Sequence, residues 1–188
     1  VRIDLTNLSG NKKGIGPQVL SFRIQEDVTS SYVFAEFDIM DGIGLLQTFP
    51  IIGEELIDVE VRFPSLNKSL SYKLAVFATS AVAYGPKNNI NTYTLKCVSE
   101  EAMRNASTLA VKGYNDTYGN IISDVVKVNL KSSKKIDSIP TRGNHNIVLP
   151  NIKPLSAIDM LRKRSTSSRN EYAPMLFFET SEGYVLKD

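Results

Sequence analysis

Apolar and polar residues alternate through most of the first half of the chain. Over Tyr32–Ile39, Val33, Ala35, Phe37 and Ile39 fall on one face, and Glu36 and Asp38 on the other. Leu56–Phe63 is cleaner: Ile57, Val59, Val61 and Phe63 point one way, Asp58, Glu60 and Arg62 the other. A two-residue period with one polar face is the mark of antiparallel sheet that is wet on one side. The same reading predicts strands over Leu20–Gln25, turning through the polar Glu26–Ser31 into Tyr32–Ile39, and over the N-terminal VRIDLTNLSG. It also predicts a long strand Ser71–Tyr84, a turn at Gly85-Pro86-Lys87-Asn88-Asn89, and a returning strand Thr92–Val98. Short strands at this spacing predict a barrel or sandwich rather than a βαβ repeat.

The run Asp41–Glu55, DGIGLLQTFPIIGEE, is too long for a tight hairpin. Asp41 and Gly42 end the preceding strand, Gly44–Thr48 has room for one helical turn, and Pro50 and Gly53 lead into the next strand. The glycine spacing matches neither GxGxxG nor GxxxxGK[ST], so the run reads as a loop covering one end of a barrel and not as a phosphate cradle.

After Val98 the period changes. Ser99 predicts an N-cap, with Glu100 and Glu101 in the first turn of a short helix to about Leu109. VKGYNDTYGN reads as a loop. Ile121, Ile122, Val125 and Val126 then recur as one apolar stripe of a helix running to Leu130. Ile136–Val148 predicts two extended pieces around Arg142-Gly143-Asn144. Pro150 and Pro154 forbid an earlier helix start, and proline is tolerated at the first helical position, so a helix begins at Pro154 and closes on Arg162-Lys163-Arg164. Met175–Thr180 and Tyr184–Lys187 form a hairpin around Ser181-Glu182-Gly183. Phe177 and Phe178 face opposite sides of it: one is core, and the other needs cover from the helix or from a neighbouring chain.

Composition narrows the function classes. The 188 residues are 42% hydrophobic and 22% charged, enough to bury a core, and a net charge of +2 gives no global case for nucleic acid or anionic membrane. No apolar run approaches the roughly 20 residues that span a bilayer. The first residues alternate like a strand and lack an initiator methionine, so the expectation is no signal peptide and a trimmed chain. Cys97 is the only cysteine; it lies in phase with Tyr93 and Leu95 and reads as a small buried hydrophobe. His145 is the only histidine, in the polar GNHN, and reads as a surface residue without the further ligands that zinc needs. Glu54/Glu55 and Glu100/Glu101 are adjacent in sequence and explained by strand alternation and a helix start, not by a glycosidase dyad. The expectation is therefore a protein with no catalytic, cofactor or metal residue, and not an enzyme. Lys131, Lys134 and Lys135 read as a solvated linker after a helix.

Three stretches, in order, resemble the central baseplate hub protein of contractile-tailed bacteriophages, the T-even type hub. The loop matches at Asp41, Leu45, Pro50, Ile51, Gly53, Glu54 and Glu55; the junction at Tyr93, Leu95, Ser99, Glu100, Lys112, Tyr114, Ile121, Val125 and Val126. The C-terminal stretch matches at Pro150, Asn151, Pro154, Ala157, Ile158, Leu161, Arg164, Phe177, Phe178, Glu179, Thr180, Gly183 and Tyr184. Ser165 stands where that family usually has alanine. Each pattern alone is weak; their shared order carries the resemblance.

The resemblance implies an α+β, mainly β fold: an antiparallel tail-tube-like β-barrel over 1–98, then a smaller α/β insertion domain over 99–188 with two to three short helices and a C-terminal hairpin. The family's second barrel is absent from this sequence, which implies the N-terminal half of a longer protein. It further implies a structural virion protein, assembled in the host cytoplasm. The full-length hub is a homotrimer with pseudo-six-fold symmetry. It joins a hexameric tail tube or tube-initiator protein to a central spike, leaves an axial channel for phage DNA, and inserts in no membrane. Asp58, Glu60 and Arg62 are then expected to face channel or solvent, and whichever of Phe177 and Phe178 points away from the local core is expected to meet another subunit. One alternative is the hub-like part of a type VI secretion or related contractile injection spike. Another is a single-strand nucleic-acid-binding barrel using Lys131, Lys134, Lys135, Arg162, Lys163 and Arg164. A cell-wall hydrolase is disfavoured, since no catalytic pair emerges.

Overall fold

A computed structural model describes the chain at residues 1–49, 51–80, 82–84, 90–170 and 173–188. It divides into two compact units, one formed by Val1–Gln25 and Phe34–Met103, the other by Glu26–Val33 and Arg104–Asp188. The expected turn at 85–89 lies outside the described residues.

The first unit contains β1 (Arg2–Thr6), β2 (Lys12–Gly14), β3 (Val19–Gln25), β4 (Phe34–Asp41), the single-turn helix α1 (Leu45–Thr48), β5 (Leu56–Phe63), β6 (Lys68–Thr79), β7 (Ala83–Tyr84) and β8 (Asn91–Ser99). The strands form one antiparallel sheet in the order β2-β1-β5-β6-β8-β4-β3, with β7 also beside β8. The two ends of that order, β2 and β3, are joined by only four residues, Ile15–Gln18, three of them in a 3-10 turn. A seven-strand path whose ends are that close along the chain has to curl. Ile15 N–H bonds the Ile3 carbonyl at 2.9 Å, after which the chain leaves β1 and goes on to line β4. The result is a half-barrel in which one run of chain changes partner at the corner.

Alternation sets which face is inside. Leu5, Phe37, Ile39, Ile57, Leu95 and Cys97 are fully buried, while Asp38, Arg62 and Lys96 are exposed. The long strand expected over Ser71–Tyr84 is divided: β6 ends at Thr79 and β7 resumes at Ala83. The ladder with β8 slips between Val76 and Ala78, and Phe77 turns outward there. A bulge of this kind places one residue out of phase with its neighbours. With few short helices and mainly antiparallel strands, the fold is of the mainly β, α+β class that the sequence implies.

Helix α2 (Glu100–Ser107) leads into the second unit, which holds β9 (Ala110–Asp116), α3 (Tyr118–Asp124), β10 (Ile136–Ser138), β11 (His145–Ile152), α4 (Pro154–Arg164), β12 (Leu176–Thr180) and β13 (Gly183–Lys187). Helix α3 continues with wider π spacing through Val125–Asn129. β12 and β13 form the expected hairpin, and β10 adds to β13 in parallel. β9 and β11 form a separate antiparallel ribbon. The stripe Ile121, Ile122, Val125, Val126 and Leu130 joins Leu149, Ala157, Ile158, Leu161, Phe177, Tyr184 and Leu186 in one buried cluster.

β9 corrects the reading of VKGYNDTYGN as a loop. Gly113 and the polar Lys112, Asn115 and Asp116 hide any period, and the strand is specified by its partner β11, whose paired residues lie 29 to 42 positions on in sequence. Strand formation depends on such cross-strand neighbours more than on local preference. Residues 117–120 are likewise not loop: Thr117 caps α3, its hydroxyl accepting from Asn120 N–H.

Candidate functional site

Among the described residues, no group of three or more His, Cys, Asp or Glu is placed to hold a metal ion. Cys97 is fully buried, and burial pushes its thiol well above the usual range, so it is an unreactive packing group. His145 departs from its surface reading. It starts β11, is half-buried, and stacks on Tyr118 with ring centroids 4.0 Å apart and planes 10° from parallel. Its Nε2 lies 3.2 Å from the Arg142 carbonyl. It is a packing residue of the second unit.

The Asp41–Glu55 loop is held by two buried carboxylates. Asp41, at the end of β4, accepts from the backbone N–H of Ile43 at 3.2 Å, Leu45 at 2.7 Å and Leu46 at 3.2 Å. Those of Leu45 and Leu46 are orphan donors at the start of α1, whose own N-cap, Gly44, offers no side chain and sits in the left-handed region. Glu55 does the same at the other end, accepting from Ile52 N–H at 2.8 Å and Gly53 N–H at 2.9 Å. Gly53 and Glu54 both have positive φ, and this double left-handed step aims Glu54 N–H at the Val76 carbonyl, 2.8 Å away, while Val76 N–H returns to Glu55 O at 2.8 Å. The Glu54 side chain is exposed, whereas Asp41 and Glu55 are turned inward and given over to backbone donors. Pro50 lies outside the described residues.

Ser99 occupies the position before α2, but its buried Oγ makes no hydrogen bond. The expected side-chain cap is therefore not formed. Glu100 instead pairs with Lys73 at 3.1 Å. Pro150 lies exposed in β11 opposite Val111, beside an irregularity where Asn151 has φ of 55°. Pro154 is buried at the first position of α4.

The C-terminal hairpin brings the remaining signature residues together. Phe177 is buried and stacks on Tyr184 at 5.2 Å, while Phe178 faces the other way and is half-buried. Glu179 lies in phase with Phe177 and is buried. It accepts from Lys134 Nζ at 2.5 Å and from Val33 N–H at 3.3 Å. Gly183 has φ of 130°, and a Cβ there would collide with the Lys135 carbonyl, to which Tyr184 N–H bonds at 2.8 Å. The sequence placed Lys134 in a linker or, in the nucleic-acid alternative, in a basic patch, and not beside Glu179. Its role in neutralising Glu179 was signalled by an acid in phase with an aromatic core residue. Arg162 and Lys163 both pair with Asp159, at 2.5 and 2.6 Å. Together with Lys134 they are drawn into ion pairs.

On the outer face of β5, Asp58 pairs with Lys12 at 2.9 Å, and Arg62 reaches Glu60 through two bonds of 2.8 and 3.1 Å. No helix among the described residues is long and apolar enough to cross a membrane.

No family model matches the sequence, and no curated protein matches it significantly. Solved structures do match the fold. The 43 kDa tail protein of prophage MuSo2 from Shewanella oneidensis aligns over 100% of this chain and 54% of its own, with a TM-score of 0.63 at 13% identity. A type VI secretion component from E. coli, itself structurally similar to the T4 bacteriophage tail proteins gp27 and gp5, covers 88% of the chain and 48% of its own, with a TM-score of 0.55 at 8% identity. Prophage tail protein gp18 from Listeria monocytogenes covers 100% of the chain and 50% of its own, with a TM-score of 0.51 at 9% identity. At these identities the shared property is the fold, and the chain spans about half the length of each.

Proposed function

We propose that the chain is a structural part of a phage tail, within the central hub of a contractile-tail baseplate. The observation that carries this reading is that the alignment with the MuSo2 tail protein runs through both units, the half-barrel and the α/β unit, in one order. In the proposed assembly the full-length protein is a homotrimer in the virion, put together in the host cytoplasm. It joins the tail tube to a central spike and lets DNA pass through an axial channel without binding it. The outer face of β5 suits such a wall. Its charges are of both signs and cancel in local pairs, so it offers a passing polyanion no net attraction.

The reading includes no enzymatic activity and no cofactor; it is supported by Asp41 and Glu55, which hold backbone N–H groups, and by His145, which stacks on Tyr118. It places Phe178, on the face of the hairpin opposite Phe177, against another subunit of the hub. A second reading, the equivalent hub of a type VI secretion spike, is supported by the likeness to the E. coli component.

The test is the solution mass of the longer protein by light scattering, together with immunogold electron microscopy of particles made by the source replicon. Trimers and label at the tube–spike junction of a phage tail are expected. A strict monomer at high concentration, or label elsewhere than the tail, overturns the hub. Label on a secretion apparatus with no virion selects the second reading. A peptidoglycan zymogram is expected to be blank.

A further inference from the structure

The outward face of the half-barrel pairs its charges unevenly. On β1, β2 and β5 they meet one another: Arg2 pairs with Asp4, Lys12 with Asp58 and Arg62 with Glu60. On β3, β4 and β8 they do not. Arg23, Glu36 and Lys96 stand opposite one another across the three strands, with Asp38 two residues along β4. Among the described residues, none of these four has an oppositely charged side chain within 4.0 Å.

Asp38 lies in a cleft. Short polar side chains cross the sheet here: Ser21 faces Asp38, Asp38 faces Thr94, and Ser80 is bonded to Thr94 through backbone and hydroxyl. Their small size leaves a hollow of about 530 Å³, in whose lining Asp38 is the one formally charged residue among those described. At the β3 side stands Leu20, the extra residue of a bulge, exposed and out of ladder phase. Ala83 and Thr92 lie on the far side, beyond β4.

The carboxylate is held in one orientation. Ser21 Oγ donates to Oδ2 at 2.5 Å from the β3 side, and Thr94 Oγ1 donates to Oδ1 at 2.8 Å from the β8 side. These two bonds hold the carboxyl below its usual range, so it is charged at neutral pH. An ionised carboxylate has roughly four acceptor sites, so each oxygen keeps one after taking a single hydroxyl proton. Asp38 remains exposed between its two donors. Arg23 is near enough for its charge to be felt at Asp38, but it stands directly opposite Glu36. Two side-by-side acceptors sharing one negative charge are the counterpart of a guanidinium fork, whereas an ammonium is a point donor.

We propose that this cleft receives an arginine side chain of a partner protein, its guanidinium bonded to both oxygens of Asp38 and its aliphatic stem against Leu20. Ser21 and Thr94 position the acid. The inference concerns the half-barrel alone and does not depend on the tail reading.

The test uses the 188-residue chain, isotope-labelled, and three blocked tripeptides that differ only in a central arginine, lysine or citrulline. Amide shifts are followed by NMR at low salt. The arginine peptide is expected to give saturable shifts at Ser21, Asp38 and Thr94, with affinity about tenfold above that of the lysine peptide. Citrulline keeps the shape and loses the charge, and is expected to give no saturable shift. Asp38→Asn is expected to weaken arginine binding by about tenfold or more with the rest of the spectrum unchanged. Asp58→Asn, whose acid is already paired with Lys12, is expected to leave it as it was. The proposal is overturned by no saturable shift at these amides, by arginine binding no better than citrulline or lysine, or by arginine binding that Asp38→Asn leaves intact. The peptide comparison is made on the parent chain, so it decides the matter even where Asp38→Asn disturbs the sheet.

Discussion

Lys134 Nζ sits 2.5 Å from Oε1 of Glu179, a carboxylate only 2% exposed on the inner side of the C-terminal hairpin. A buried carboxylate is tolerated when its charge is met and it accepts hydrogen bonds, and Lys134 and the Val33 N–H contribute to both. Removing Lys134 takes away the cation 2.5 Å from the Glu179 carboxylate. Lys134→Met is expected to destabilise the chain by about 2–4 kcal/mol in urea unfolding, toward the lower end because a quarter of the lysine side chain reaches solvent. The double variant Lys134→Met with Glu179→Gln is expected to recover much of that loss. Strictly additive losses in the cycle would show that the two side chains act independently.

Asp41 bonds three backbone N–H groups within five residues of itself, and Glu55 bonds two. Hydrogen bonds to a charged acceptor are stronger than neutral ones, and the donors they satisfy at α1 have no intrahelical partner. Asp41→Ala is expected to cost about 2–4 kcal/mol and to speed amide exchange at Leu45 and Leu46. Asp41→Asn, which keeps one acceptor oxygen, is expected to cost about half as much. Asp58→Asn, a surface change outside any such cluster, is the control and is expected to stay within about 0.5 kcal/mol.

The difference between Asp41 and Asp58 also marks how far the sequence could be read. Asp58 sits in strict alternation with Ile57 and Val59, and that local period was enough to define β5 to its last residue. The stripe Ile121, Ile122, Val125 and Val126 defined the helix that buries it for the same reason. What could not be read depends on distant chain. β9 and the parallel addition of β10 to β13 are created by partners elsewhere in the sequence. Glu179 receives Lys134 from 45 positions away and Val33 from 146. Ser99 had the residue type and the place of an N-cap, yet its hydroxyl is turned into the interior without a partner, because cap identity in sequence does not fix side-chain direction. The resemblance supplied the candidate positions, while the hydrogen bonds of Asp41, Glu55 and Glu179 supply physical reasons for them.

Gly183 begins β13 at φ of 130°, against the backbone of Lys135. The close approach lets Tyr184 N–H reach the Lys135 carbonyl and so seats β10 beside β13. A methyl group here meets both backbone strain and a clash with main chain, which cannot rotate away. Gly183→Ala is expected to cost about 2–3 kcal/mol or more and to expose the Tyr184 amide to exchange. Gly10→Ala makes the comparison. Its φ of 81° is also left-handed, but nothing lies within 4 Å of the added carbon, so the cost is expected to be about 1 kcal/mol.

Asp124 predicts how the second unit responds to acid. Burial alone raises its pKa, but hydrogen bonds from Lys112 Nζ at 2.8 Å and Tyr114 Oη at 2.7 Å outweigh that and hold it below the ordinary 3.8. A carboxylate with a lowered pKa in the folded state binds fewer protons there than in the unfolded chain near its unfolded pKa, so stability rises with pH in that window. Its contribution is complete above about 4, the unfolded value, and is lost as pH falls through the lower folded value. Asp124→Asn, which cannot titrate, is expected to lower the melting temperature at pH 7. The gap to the parent chain should narrow as both are melted at successively lower pH, down to about pH 2. The raised Tyr114 pKa, caused first by burial and then by the bond to Asp124, keeps the phenol protonated throughout this range, so it remains a donor. A gap between the two melting curves that stays constant from neutral to acid would mean that the Asp124 contacts contribute no charge-dependent stability.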